Sequence, residues 1–273
     1  MGGRGVEEAR RRAYLDAMGI QLWELNDREP ARVASTARGE GESGESPVGA
    51  GEPPPWLEEA PPPEDDLEPI GAEPAVEVAV PAVPDLSGVD WPELERRVAE
   101  CTLCDLHRTR TRAVFGVGDR DASVMVVGEA PGADEDRQGE PFVGRAGRLL
   151  DEMLFAAGHP RPTVFIANIL KCRPPNNRDP RPEEVRACKP YLLRQIELVG
   201  PRVILAVGRV AAQNLLQTDA RIGALRGRVH HLSPFGIPVV VTYHPAYLLR
   251  QPLEKRKAWE DLKRLRSLSR EES

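Results

Sequence analysis

Long apolar runs are missing from this chain. No stretch of its 273 residues is apolar enough over a sufficient length to cross a bilayer as a helix, so no membrane partner is expected. The first residues, MGGRGVEEARRRAYLDAMGIQLW, lack the apolar centre and small-residue cleavage site of a secretory signal. A cytoplasmic protein is therefore expected. No internal repeat is apparent. No G-x-G-x-x-G fingerprint occurs; the first apolar strand-like run instead ends in G-E-A-P-G, which disfavours a dinucleotide-binding scaffold.

Lysine is also scarce. There are five, at 171, 189, 255, 257 and 263, and none in the first ninety residues. Those ninety hold 7 Arg against 20 Asp and Glu, a net charge of −13, while the remainder holds 30 basic and 23 acidic side chains, a net of +7. The overall −6 describes neither part. A basic C-terminal region suggests an anionic partner.

The low-complexity composition is concentrated at 32–90, where Pro, Gly, Glu, Ala and Ser dominate. Such a segment cannot bury enough apolar surface to offset its ordering entropy, so a disordered acidic linker is expected. Before it, within 1–31, Tyr14, Leu15, Met18, Leu22 and Leu25 recur near helical spacing. The peptide Gln21-Leu22-Trp23-Glu24-Leu25 loosely resembles those that bind the bacterial sliding clamp, so a clamp contact through 21–25 is an expectation. The folded unit is expected over 91–273.

In that unit helical and strand-like patterns alternate. WPELERRVAEC, GRAGRLLDEMLFAA, PEEVRACKPYLLRQIELV, RVAAQNLLQ and a basic tail from Leu253 to Leu268 read as helices, the third kinked or split at Pro190. SVMVVG, TVFIANIL, RVILAVG and IPVVVTYH are continuous β-branched runs and read as buried strands. The fold class expected is α/β, a three-layer α/β/α arrangement around a central four-stranded parallel sheet. In such sheets working residues gather at the carboxyl ends of the strands. Gly128 to Asp136, Asn168, and His244 to Arg250 all fall there.

Cysteine is limited to four residues, and all four fall into two pairs. Cys101 and Cys104 form a C-x2-C; Cys172 and Cys188 follow with fifteen residues between them. In a reducing compartment such pairs read as ligands of one metal centre rather than as disulfides. Spacing alone leaves a four-thiolate zinc site and a [4Fe–4S] cluster equally open. The intervening loop RPPNNRDPR has no apolar side chain beyond proline, so ligation on both sides would rigidify it and present Arg173, Arg178 and Arg181 to the phosphates of an anionic partner.

GEAPGADED, PFVGRAG, NILKCRPPNNR and HPAYLLR, in this order and with the four-cysteine pattern, resemble the motif set of the family 4 uracil-DNA glycosylases, the iron–sulfur type. The resemblance covers Trp91 to the C-terminus. It implies the fold of that family, excision of uracil from single- or double-stranded DNA, a monomer in the bacterial cytosol or nucleoid, and a [4Fe–4S] cluster on Cys101, Cys104, Cys172 and Cys188 in preference to zinc.

The residues suit that chemistry. Phe142 can stack on a flipped base. Asn168 offers one acceptor and an amide donor, matching N3–H and O4 of uracil and mismatching cytosine. His244 can stabilise the charge that develops at O2 as the base leaves. Better-known uracil glycosylases resemble G-Q-D-P-Y at the first motif, with an aspartate that orients water. Ala130 stands in that place here, against the base, so Glu129, Glu135 or Asp136 must compensate or backbone carbonyls position the water, with Glu129 the first choice. Gly132 stands where those relatives have a tyrosine that excludes thymine, and Glu135 is the candidate to block a 5-methyl group instead. Leu248 or Leu249 can fill the gap left by the flipped base, and Arg250 can hold a flanking phosphate. With no lysine in GEAPGADED or HPAYLLR, and only Lys171 near the proposed site, coupled strand cleavage is not expected. A non-catalytic or single-turnover relative that binds uracil or single-stranded DNA is the alternative; KCRPPNNRDP lacks the inserted histidine loop that would mark the suicide type.

Overall fold

The structure, a computed structural model, describes residues 84–270. The amphipathic N-terminal segment, the peptide at 21–25 and nearly all of the acidic linker lie outside them.

The folded chain is anchored before its first helix. Leu86 and Val89 are buried in the core, and the Arg194 guanidinium donates to the Val89 carbonyl at 2.7 Å. Helix α1 (Trp91–Glu100) follows, started by Asp90, whose side chain accepts the Glu93 N–H at 3.1 Å. Leu94 and Val98, one turn apart, are its buried stripe.

A six-stranded sheet forms the centre: β1 (Val117–Gly118), β2 (Val124–Gly128), β3 (Phe165–Asn168), β4 (Val203–Val207), β5 (Val229–Leu232) and β6 (Ile237–Thr242), in the order β1-β3-β2-β4-β6-β5. The four inner strands, β3, β2, β4 and β6, are parallel, as the apolar runs predict. Every residue of β2, β3 and β4 is buried because helices cover both faces of the sheet. Two antiparallel edge strands extend the four that were expected, β1 on β3 and β5 on β6. Neither has a continuous apolar run: β1 has two residues, and β5, Val-His-His-Leu, buries only its leucine.

The remaining helices are α2 (Ala133–Gln138), α3 (Arg145–Ala157), α4 (Pro182–Val199), α5 (Arg209–Leu216), α6 (Ile222–Leu225), α7 (Pro245–Arg250) and α8 (Lys255–Arg270). Pro190 sits inside α4 without splitting it. Helix α2 is an addition to the sequence reading, which treated GEAPGADED as a strand-end segment. Parallel pairing aligns Gly128 with Asn168 and Val207 with Thr242. The strand ends therefore share one rim, and the loops that carry the motifs leave from it.

Candidate active site

One cavity of about 560 Å³ opens at this rim. Glu129 and Ala130 reach it from β2, Asn168 from β3, Gly208 and Arg209 from the β4–α5 junction, and His244 and Arg250 from the segment after β6. Glu135 and Phe142 enter from α2 and the loop beyond it.

Asn168 is buried, and its Oδ1 has no hydrogen-bond partner among the described residues. A buried unpaired acceptor costs about 1–3 kcal/mol; Asn168 borders the cavity, and a donor on a ligand there would relieve that cost. Gly128 makes room for it. A Cβ at Gly128 would collide with Asn168 Oδ1 and come within 2.6 Å of the Phe142 ring.

Phe142 is buried and its backbone is left-handed, with φ 55°. An aromatic residue there is strained by about 1–3 kcal/mol and persists only when its surroundings hold it. They do so from both sides. Arg161, paired with Asp151 at 2.9 Å, donates to the Pro141 carbonyl at 2.7 Å and the Phe142 carbonyl at 3.3 Å. Glu135 Oε1 accepts the Val143 and Gly144 N–H groups at 3.1 and 3.3 Å. The held ring stacks on His244, with centroids 5.7 Å apart and planes 30° from parallel.

His244 is partly buried beneath the cavity. Burial, helped by the nearby Arg250 cation, pushes its imidazole down to about 4. The ring is therefore neutral at pH 7. Its Nδ1 accepts the Ala246 N–H at 3.1 Å, so the single proton sits on Nε2 and that atom is a donor. The other oxygen of Glu135, Oε2, stands 2.6 Å from where a Cβ of Gly132 would lie. The carboxylate thus fills the volume that a side chain at 132 would claim.

Several predicted residues lie elsewhere. Asp136 is buried and accepts the Thr111 and Arg112 N–H groups, with distances of 2.9 to 3.4 Å, so it anchors the 111–112 turn and is not among the groups lining the cavity. Leu248 is fully buried, packed with Leu149, Met153 and Leu262. This corrects its reading as a DNA wedge: the turn of α7 directs it into the core and leaves Leu249 exposed. Arg178 lines the cavity but is tied to Glu184 by two bonds of 2.9 and 2.5 Å. Arg173 lies off the cavity, bonded to Asn177 Oδ1 at 2.8 Å, and Arg181 borders a larger groove of about 760 Å³ beside it. Sequence reasoning missed Arg209, which pairs with Asp179 at 2.7 Å and so links α5 to the 173–181 loop. Its signal was the glycine ending RVILAVG, a strand end on the same rim.

The four cysteines surround a second, small cavity, together with His107, Lys171 and Tyr191. Cys101 and Cys104 follow α1, Cys172 follows β3, and Cys188 lies in α4; all four are free thiols. No three His, Cys, Asp or Glu side chains among the described residues are arranged to hold a metal ion. Burial pushes the Cys104 thiol up to about 11 and the Cys188 thiol to about 12. Opposing donors reach the sulfurs: Arg110 Nη1 donates to Cys172 Sγ at 3.0 Å, and the Lys171 N–H to Cys188 Sγ at 3.2 Å. An all-thiol set that receives a guanidinium and a backbone N–H is suited to a metal whose ligands must ionise.

The fold and the rim geometry meet an independent match. The profile of the Uracil DNA glycosylase superfamily matches residues 115–263, and the chain belongs to that superfamily. More particularly, it is similar to proteins named Type-4 uracil-DNA glycosylase: 47% identical to that of Archaeoglobus fulgidus over 64% of this chain and 92% of the relative. Against that of Thermotoga maritima it is 44% identical over 66% and 94%. Against that of Pyrobaculum aerophilum it is 44% identical over 64% and 92%.

Proposed function

We propose that this protein excises uracil from DNA by hydrolysing the bond between uracil N1 and the sugar C1′, leaving an abasic site for repair. The observation that carries the reading is the unpaired, buried Asn168 Oδ1 beside the Phe142–His244 stack in one cavity.

The base must first leave the stack, at a cost of a few kcal/mol in a duplex. Phe142 takes its face. Asn168 accepts from N3–H and donates to O4; cytosine offers neither partner and would leave both buried groups unmatched. As the N1–C1′ bond breaks, its electron pair moves onto the uracil ring and charge gathers at O2. The neutral His244 donates from Nε2 to that oxygen and keeps its proton, so it stabilises the transition state electrostatically. Water then adds to C1′ on the face opposite the departing base and releases a proton to solvent. Glu129, at the cavity wall, would orient that water, and Glu135 over Gly132 would bar a 5-methyl group.

No lysine lines the cavity among the described residues, which supports a monofunctional enzyme without strand cleavage. Arg181, Arg250 and Leu249 are exposed beside or on the rim and suit phosphates and the vacated stack. Cys101, Cys104, Cys172 and Cys188 would hold a [4Fe–4S] cluster. The likeness of the four-cysteine motif set to the iron–sulfur type favours the cluster over zinc, a choice that spacing alone leaves open. When bound, the cluster pins the 173–187 segment to the body.

The test is incubation with a uracil-containing oligonucleotide followed by alkali. Scission that needs both uracil and alkali is expected; tight binding without release would overturn hydrolysis. Broad visible absorbance of the purified protein is expected for the cluster, and a colourless zinc protein would overturn it.

A further inference from the structure

The strand that delivers Asn168 ends in the protein interior, where its carbonyl has no further strand to pair with. A buried carbonyl must find a donor. The donor is a lysine three residues on. Lys171 is 2% exposed, and its Nζ donates to the Asn168 carbonyl at 2.9 Å and to Gln195 Oε1 at 2.6 Å. Gln195, itself fully buried in α4, passes the link to the Phe115 carbonyl at 2.9 Å. The backbone N–H of Lys171 donates to Cys188 Sγ, and its carbonyl accepts the Val114 N–H at 2.8 Å. One residue therefore touches the base-reading asparagine, α4 and the cysteine-lined cavity. It faces that small cavity and is not among the groups lining the larger one.

We propose that Lys171 is a positioning residue of the base-reading pocket: its ammonium fixes the Asn168 backbone, and so the direction of the Asn168 amide, to the scaffold that holds the four cysteines. A core aliphatic residue would fill the same space but leave the Asn168 carbonyl and Gln195 Oε1 unpaired, and the strand end would relax. A peptide rotated by even a small angle at 168 swings the amide away from the plane in which a flipped base lies. The role makes no use of proton transfer, and Lys171 does not touch substrate. It rests on Asn168 reading uracil.

The test is a double-mutant cycle on the full chain, Lys171→Met with Asn168→Ala, read by uracil excision and by the affinity for free uracil. Lys171→Met alone is expected to weaken free-uracil binding and to lower uracil-over-cytosine preference about tenfold. In the Asn168→Ala background the same change is expected to have no further effect on binding. Visible absorbance per protein should stay within that of the parent, which separates loosened reading from a lost metal centre. Equal losses in both backgrounds, or unchanged uracil binding in Lys171→Met, would overturn the role. Gln195→Met, which removes only the second anchor of the ammonium, should move the same readouts in the same direction, and an unaltered profile there would also count against it. A parent protein that excises no uracil would instead overturn the function itself.

Discussion

Gly128 and Asn168 face each other across the β2–β3 pair, and the asparagine amide with the Phe142 ring fills the space where a side chain at 128 would stand. The pocket floor is built from an absence. Gly128→Ala must push one of the two partners aside. We expect kcat/KM on a uracil oligonucleotide to fall by at least about tenfold. Circular dichroism should remain that of the parent. A near-parental rate would mean the floor gives without consequence.

Asn168→Asp replaces the amide donor with a second acceptor. The carboxylate repels O4 and meets the N4 amino group of cytosine instead. The uracil-over-cytosine ratio of kcat/KM should therefore collapse, and paired measurements on two otherwise identical oligonucleotides will read it. An unchanged ratio would remove Asn168 from base selection.

His244→Ala should cost turnover about 2.7–4 kcal/mol, the scale of one oxyanion donor. Because burial holds the imidazole down at about 4, the histidine remains a neutral donor through pH 5, and its titration should give no acid limb near 6.5. Stability carries the same signature. An unfolded histidine protonates near 6.5 while the folded one does so only near 4. The unfolded state thus binds the extra proton in that window, and the stabilising contribution is lost as pH falls from 6.5 towards 4. Denaturant titrations at pH 7 and pH 5 should show a smaller loss for His244→Gln than for the parent.

Leu248 and Leu249 are neighbours with opposite surroundings. Leu248→Ala empties a core site and should cost about 2–5 kcal/mol of stability, visible as a lower Tm. Leu249→Ala should leave Tm alone and slow excision from duplex DNA more than from single strands, because only a duplex has a gap to fill. Equal effects on both substrates would exclude a wedge.

Removing residues 1–83 should preserve activity on naked oligonucleotides. Removing residues 1–90 should not be equivalent: it also takes Leu86 and Val89 from the core, each worth about 1.5–3 kcal/mol of burial. Melting curves of the two truncations will show whether the folded unit begins before Trp91.

The four inner strands and the main helices were legible in the chain because continuous β-branched runs and helical stripes are local patterns, fixed by burial on both faces or on one. So was the rim, since strand ends in a parallel sheet must share it. The edge strands β1 and β5 were hidden, because half-exposed pairs such as His230 and His231 leave no run to read. What only the packed molecule decided was direction and partnership. The turn of α7 chose Leu249 over Leu248 for the surface, Asp136 was spent on backbone amides of a distant turn, and Ala246 fixed which nitrogen of His244 bears hydrogen. Lys171 was legible as a lysine near the site, but its role under Asn168 depended on Gln195 in another helix. Composition and order name the groups available; the angle at which each meets its neighbour arises from long-range contacts that no local pattern encodes.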